Sequence, residues 1–131
     1  MGAFDALRIA NTSLGMHQTW LDALANNISN ANTIRPTSES AFQAQYVVAS
    51  ARPDGGVDVA GIDLGDAQGE LVYQPDNPMA DQNGMVRAPD MDMSEQMTSL
   101  IQAQRGFQAS VQVIKTAQDT YSAALEIGRG A

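Results

Sequence analysis

Four aspartates between residues 76 and 92 are the side chains best placed for acid–base chemistry: Asp76, Asp81, Asp90 and Asp92. Paired carboxylates work as general acid and general base when a nucleophile or a set of oxyanion donors stands beside them. Here the neighbouring residues are prolines, glycines and asparagines, which are typical of turns. The sequence therefore predicts solvated turn acids and no catalytic site.

Metal chemistry has candidates in the same region, and each has a simpler structural explanation. Residues 81–84 with Asp90 match positions three to twelve of a calcium loop, but position one would be Met79, which has no oxygen ligand. His17 is the single histidine, and the chain contains no cysteine. Five of the seven methionines fall between Met79 and Met97, where thioethers suit copper but more often fill irregular interfaces. We expect no metal and no cofactor, capped turns in this segment, and a core or interfacial His17.

The composition argues against two classes of partner. The 131 residues carry 15 acidic side chains against seven Lys and Arg, a net charge of −8, and residues 33–90 hold nine of these acids with three arginines. Phosphate binding needs clustered Lys and Arg, so we expect no nucleic-acid partner. Polar side chains interrupt the first thirty residues, and no apolar run approaches the length of a bilayer span. We therefore expect neither direct membrane insertion nor a cleavable secretory leader.

Apolar residues recur every seven positions at both ends of the chain. The first series is Leu7, Leu14, Leu21 and Ile28, and the second is Met93, Leu100, Phe107, Ile114 and Tyr121. A strict seven-residue repeat keeps one seam on one side of an α-helix, so each end is predicted to be a long helix that lies along another helix. We place the first helix over residues 4–30 and the second from about Asp92 to Gly128. Small residues at 103, 110, 117 and 124 allow a neighbour to approach the second helix closely.

Between the helices the apolar pattern changes to a period of two. Alternation over residues 42–48, the Gly55-Gly56 turn, residues 57–64 and a short run at 71–73 predict a small antiparallel β insert. The predicted fold class is α+β, with long terminal helices paired as a coiled-coil-like hairpin and the β insert between them. The predicted domains are an N-terminal helix over 1–33, a β-rich insert and return segment over 34–90, and a C-terminal helix over 91–131.

The first helix carries a second apolar stripe, formed by Ile9, Met16 and Ala23 with Trp20 beside it. A helix that is apolar on two sides needs two partners, and a simple hairpin offers one. We therefore predict terminal helices that are mobile in the monomer and become ordered on polymerisation, with a stable two-helix hairpin on a β lobe as the alternative. The predicted assembly contacts are large apolar residues of both helices: Leu7, Leu14, Trp20, Leu21, Leu24, Ile28, Met97, Leu100, Phe107, Val111, Ile114, Tyr121 and Leu125.

Three segments resemble the axial proteins of the bacterial flagellum. Residues 23–33, ALANNISNANT, are similar to the ANNLANANT signature of the rod and hook group. Residues 71–86, LVYQPDNPMADQNGMV, followed by PDMD, resemble the YxPxNPxADxxGYVxxPNVD run of the proximal rod family, and residues 105–117 resemble its C-terminal RSYQANVEVLNTAK. Residues 34–70 match only loosely, and Met85, Phe107 and Ser110 replace the usual Tyr, Tyr and Asn. The motif positions are Asn26, Asn27, Asn30, Ala31, Asn32, Pro75, Asn77, Pro78, Asp81 and Gly84.

This resemblance implies a non-enzymatic structural subunit of the flagellar rod, the drive shaft that crosses the periplasm. Such a subunit polymerises through its terminal helices and transmits torque. The implied partners are copies of itself, other proximal rod proteins, the distal rod protein, the rod-base adaptor protein and the flagellar type III export apparatus. The alternative hypothesis is a soluble helical-hairpin binding module, such as an export adaptor or a chaperone.

Overall fold

The structure, a computed structural model, describes residues 2–130. The two long helices pair with each other, and two small antiparallel sheets come between them in the sequence. The predicted α+β class, with paired terminal helices and a β insert, is confirmed. In chain order the elements are α1 (Ala3–Ser29), β1 (Gln45–Ala51), β2 (Val57–Leu64), β3 (Glu70–Tyr73), β4 (Met85–Ala88) and α2 (Met93–Arg129).

The ends of α2 follow from local sequence. Asp92 caps the helix, because its Oδ1 accepts a hydrogen bond from the backbone N–H of Ser94 at 2.8 Å. This agrees with the predicted start. The predicted end at Gly128 is wrong, since α2 continues to Arg129 and Gly130 forms the C-cap. The basic Arg129 in the last turn favours this extension, because it lies near the negative end of the helix dipole.

The helices run antiparallel and meet along small residues. The buried positions of α2 are spaced by seven: Gln96, Ala103, Ser110 and Ala117. We call the last three of them the small-residue line. The buried positions of α1 are Ala10, Ala23, Leu24 and Asn27. The Ser110 hydroxyl donates to Ser13 Oγ across the pair at 2.9 Å. Within residues 2–130, neither helix is long and apolar enough to cross a membrane.

Strands β1 and β2 form an antiparallel ribbon. Gln45 pairs with Leu64 at one end, and Ala51 pairs with Val57 at the other. A β-bulge interrupts the register between Val48 and Ala49. The predicted turn at Gly55 and Gly56 joins the strands, and both glycines have positive φ, +85° and +102°. Glycine adopts this conformation without the steric cost that a Cβ would bring.

Polar contacts hold both ends of the ribbon on α1. At its base, Asn27 Oδ1 accepts a hydrogen bond from the backbone N–H of Gln45 at 2.7 Å. Near its tip, the Thr12 hydroxyl accepts one from the backbone N–H of Val57 at 3.1 Å. The ribbon therefore lies along α1.

The second apolar stripe of α1 has its partner inside the chain. A Cβ at Gly55 would lie 3.2 Å from Ile9 Cδ1, so Ile9 sits under the ribbon tip. Met16 lines a cavity together with Val57 of β2, and Ala23 is buried. The β insert folds back along α1 and gives this stripe a partner within the chain, which a helix hairpin alone would not, and Ile9 and Met16 are half-buried there.

The period-two pattern located the ribbon but misjudged its faces. β1 begins at Gln45, three residues after the predicted start. Ala44 is buried, whereas Tyr46 and Val48 on the same predicted face are exposed. The half-buried positions of β1 are Gln45 and Val47, so burial alternates at the start of the strand with the phase opposite to the predicted one, and the rest of the ribbon is mostly exposed.

Strands β3 and β4 form a second antiparallel sheet of two strands. Their register runs from the Glu70–Ala88 pair to the Tyr73–Met85 pair. The sequence predicts β3 but not β4. β4 has only four residues, of which Val86 alone is fully buried, and such a short segment shows no readable alternation.

Candidate assembly interface

At one close contact between the helices, a histidine lies against a glycine. A Cβ built on Gly106 would overlap the ring of His17. His17 Nδ1 lies 2.8 Å from the backbone oxygen of Ser13, and the ring centroid lies 6.1 Å from that of Trp20. His17 is half-buried. It is thus a contact between the two helices, which is the kind of position that the sequence predicts for it.

Most of the large apolar residues predicted to make assembly contacts flank the small-residue line. On α1, the half-buried ones are Leu7, Leu14, Trp20, Leu21 and Ile28. On α2, they are Leu100, Phe107, Val111 and Ile114. Each of these side chains keeps apolar surface in contact with solvent, which a neighbouring helix can cover.

Leu24 is placed differently from the other predicted contacts. It is 4% exposed and lies seven residues after His17, on the side of α1 that meets α2. It therefore belongs to the core of the chain, and its role as an assembly contact stays a prediction. The physical reason is the helical period, which turns a residue three positions after Leu21 towards the partner helix.

The exposed predicted contacts lie towards the ends of α2. Met97, Tyr121 and Leu125 each keep between 39% and 50% of their surface accessible. The rings of Phe4 and Tyr121 meet edge to face with centroids 5.0 Å apart, so α2 continues past the start of α1. We call residues 122–130 the C-terminal overhang. All of them are exposed, and Ile127 is 76% exposed.

An apolar groove runs beside the helix contact. Two adjoining cavities of about 570 and 520 Å³ share Ala6, Ala109 and Val113 in their linings. Val113, together with the exposed Phe4 and Ile101, is absent from the predicted contacts. These residues fall outside both seven-residue series. The signal that could have found them is a large apolar side chain on a helix face that is otherwise polar or small.

A buried amide pair joins three elements. Asn27 Nδ2 donates to Gln96 Oε1 and to the backbone oxygen of Gln45, both at 2.9 Å. Asn27 is 0% and Gln96 2% exposed. The sequence analysis singled out Asn27 only as a motif residue, and it missed Gln96. The available signal was its position seven residues before Ala103, because a polar residue on a line of small ones is typical of a specific buried contact.

The other asparagines of the first motif close the end of α1. Asn30 Nδ2 donates to the backbone oxygen of Asn26 at 2.9 Å and to its Oδ1 at 3.2 Å. The Thr33 hydroxyl donates to Asn30 Oδ1 at 3.2 Å. Asn26, Asn30 and Ala31 are half-buried, whereas Asn32 is exposed. These hydrogen bonds are local, so they shape the exit of the chain from the helix.

The second motif builds the connection between β3 and β4. Asn77 Oδ1 accepts a hydrogen bond from the backbone N–H of Met79 at 2.9 Å. Gly84 has a φ of +74°, and a Cβ there would lie 3.1 Å from Pro75 Cβ. Pro75 and Pro78 are both exposed. The motif therefore specifies a compact turn.

Asp81 is the central acceptor of this turn. Its Oδ1 accepts from the backbone N–H groups of Asn83 at 2.8 Å and Met85 at 3.0 Å, and its Oδ2 accepts from the Thr37 hydroxyl at 3.1 Å. The hydrogen bond from Met85 is the main cause that lowers the pKa of this carboxyl. Asp81 caps a turn, as the sequence predicts. Within the described part of the chain, no three His, Cys, Asp or Glu side chains are grouped to hold a metal ion.

Ion pairs gather at the ribbon tip. Arg52 lies 3.0 Å from Asp54 and 3.2 Å from Asp58, and Arg8 of α1 lies 3.3 Å from Asp54. The hydrogen bond from Arg52 lowers the pKa of the Asp54 carboxyl. These side chains are substantially exposed, so their pairing orients the tip on α1 and contributes little to stability.

The amino-acid sequence is similar to those of known proteins over nearly the whole chain. Residues 82–127 match the family model described as "Flagellar basal body rod FlgEFG protein C-terminal". The chain is 34% identical to the flagellar basal-body rod protein FlgC of Yersinia enterocolitica and 31% identical to that of Salmonella typhimurium, over 98% of this chain and 100% of each relative. It is 28% identical to that of Borreliella burgdorferi, over 99% of this chain and 100% of the relative. The chain therefore belongs to the FlgC family of flagellar basal-body rod proteins, which are structural subunits of the rod.

Proposed function

We propose that this chain joins the rod through the half-buried apolar residues that flank its helix contact and through the C-terminal overhang. The observation that carries this proposal is the overhang, where Leu125 and Ile127 are exposed on a helix that continues beyond its intrachain partner. Apolar side chains so exposed on a long helix are typical of a surface that another helix covers. Their neighbours are then other rod subunits.

The composition of the core supports ordering on polymerisation. The fully buried apolar residues are mostly alanines, as at Ala10, Ala103 and Ala117. A buried Ala contributes about 2 kcal/mol less than a buried Leu, at roughly 0.8 kcal/mol per CH₂ group. The helix pair alone therefore gains little from burial, while fixing each backbone residue costs about 1–2 kcal/mol of entropy. We propose that the terminal helices are mobile in the monomer and become fully ordered against neighbouring subunits.

We propose a different role in the assembly for the terminal segments and for the segment between them. The helical segments 1–33 and 91–131 form the polymerising part, and segment 34–90 packs outside it. The ribbon supports this arrangement because it lies against the Ile9–Met16 side of α1 and leaves the Leu7–Ile28 line half-exposed for other helices. Each subunit thus offers helix surface to its neighbours and a β surface to the exterior of the shaft.

The proposed partners are copies of this chain, other proximal rod proteins, the distal rod protein and the rod-base adaptor protein, with delivery by the flagellar type III export apparatus. The proposed role is mechanical: the helix contacts transmit torque, and the chain carries out no catalysis. The family membership and the turn-bound Asp81 support this role over an enzymatic one. Family membership likewise favours it over the adaptor or chaperone hypothesis.

A motility experiment tests the proposal. Leu21→Asp and Ile114→Asp each place a charge on half-buried apolar surface, and we expect loss of rod assembly and of swimming. Gln108→Asp places the same charge on an exposed polar position of α2 and should leave swimming intact. Basal bodies purified from each strain show whether the chain has been incorporated. Normal rods built from Leu21→Asp or Ile114→Asp chains would refute the proposed interface.

A further inference from the structure

The small-residue line of α2 permits a second way of pairing the two helices. The line continues beyond Ala117 to Ala124, and α2 has 37 residues against 27 in α1. If α2 slid by one heptad, residues 101–127 would lie beside the whole of α1, and every turn of α1 would keep a neighbour. Burial of small side chains alone therefore does not select the observed register.

Two polar contacts mark the register that the structure adopts. Ser13 meets Ser110, and Asn27 meets Gln96. The two residues on α1 are 14 positions apart, and so are their partners on α2, which is two heptads on each helix. After a slip of one heptad, Ser13 would lie beside Ala117 and Asn27 beside Ala103, and Val113 would replace Gly106 against the ring of His17, which also disfavours the slip.

The two contacts differ in what a slip would leave unpaired. The Ser110 hydroxyl also bonds the backbone oxygen of Gly106 at 2.9 Å, so it keeps a partner without Ser13. Asn27 is fully buried and would exchange the Gln96 oxygen for a methyl group at Ala103, which is also fully buried. A buried amide donor without an acceptor is costly, whereas a displaced hydroxyl that keeps a partner is not.

We propose that the Asn27–Gln96 amide pair selects the register of α1 against α2 and thereby sets the length of the C-terminal overhang. A slip of one heptad would draw the overhang back by roughly 10 Å, at 1.5 Å per residue. Leu125 would then lie alongside α1 instead of projecting beyond it. Because the same Asn27 amide bonds Gln45, it also ties the β ribbon to the selected register.

Engineered cysteines can report the register because the chain has none of its own. Ser13→Cys with Ser110→Cys reports the observed register, since the two Oγ atoms are 2.9 Å apart. Ser13→Cys with Ala117→Cys reports the slipped register, because position 117 is two helical turns away and a disulfide needs Cα atoms within about 7 Å. Each full-length variant is oxidised in a dilute thiol–disulfide buffer, and its intramolecular bridge is quantified by peptide mass mapping.

In the parent sequence we expect the 13–110 bridge to dominate the 13–117 bridge. The double variant Asn27→Ala with Gln96→Ala replaces the amide pair by small side chains, which gain little from burial in either register. We expect it to raise the 13–117 yield relative to 13–110 by about tenfold, the effect of one unpaired buried amide, with a helical circular dichroism no lower than the parent's. Asn30→Ala is the matched control, because its amide bonds stay within the end of α1, and it should leave the ratio unchanged.

Gln96→Ala alone removes the interhelical acceptor in both registers and keeps Asn27 bonded to β1, so it should raise the same ratio by a similar factor. An unchanged bridge ratio in the double variant would overturn the proposal. So would a collapse of its helical signal, because the pair would then hold the helices together and not choose between registers. The ratio reports register whether the helix pair is fully or partly formed in the monomer, so the result is separate from the proposed ordering on polymerisation.

Discussion

The ring of His17 lies against Gly106, in the space that a Cβ on α2 would occupy. This contact sets how closely the two long helices approach, because any larger residue at position 106 must displace either the imidazole or the whole of α2. Close packing thus explains a glycine in the middle of a helix, where it lowers helix propensity.

Gly106→Ala should weaken the pairing of the helices, because it displaces either the His17 ring or α2. An added Cβ would overlap His17, and overpacking of this kind costs about 1–3 kcal/mol. We expect a clear loss of far-ultraviolet circular dichroism from helix. Gly15→Ala is the control, because a Cβ there meets no described atom within 4 Å, and it should gain about 0.5–1 kcal/mol from helix propensity. Equal helical signals in the two variants would contradict the proposed role of the contact.

The C-terminal overhang should matter for assembly and little for the monomer. Leu125→Ser with Ile127→Ser changes two exposed side chains, so we expect a change below about 0.5 kcal/mol in the free energy of unfolding. Incorporation into purified basal bodies, and swimming, should nevertheless be lost. Glu126→Gln, which lies between the two positions, should leave both readouts intact. Normal swimming of the double variant would show that the overhang makes no essential contact.

The turn around Asp81 should loosen in acid. The hydrogen bond from Met85 lowers the pKa of Asp81 below its ordinary 3.8. A carboxyl whose pKa is lowered by folding stabilises above its ordinary value and loses that contribution as the pH falls through the folded-state pKa. Hydrogen exchange of the Met85 amide should therefore be steady above pH 5 or so and lose protection below about pH 3.8. Asp81→Asn should remove this pH dependence, and exposed Asp76→Asn should preserve it.

The tip of the β ribbon should depend on one hydroxyl of α1. Thr12→Val keeps the shape of the side chain and removes the acceptor for the Val57 backbone N–H. We expect faster hydrogen exchange at Val57, by about fivefold for a lost hydrogen bond of roughly 1 kcal/mol. Thr19→Val is the matched control, because the Thr19 hydroxyl bonds only the backbone oxygen of Gly15 within α1. Similar exchange at Val57 in both variants would show that other contacts hold the tip.

The sequence alone determined the elements whose signals are local or periodic. The seven-residue series placed both long helices, Asp92 marked the start of α2, and the Gly55-Gly56 pair marked the ribbon turn. Hydrogen bonding within a helix and the φ preference of glycine act over a few residues, so the residues nearby are sufficient to predict them. The same holds for Asp81, whose acceptor role is satisfied mostly by backbone groups two and four residues away.

Only the tertiary structure decided which surfaces remain available. It buried Leu24, brought the ribbon over Ile9 and Met16, and joined Asn27 to Gln96 across 69 positions of sequence. The hydrophobic effect favours the removal of an apolar side chain from water, but it is non-directional, so it does not decide which of several apolar surfaces covers that side chain. That choice depends on distances between elements far apart in the chain, which are fixed only when the helices and the ribbon pack together.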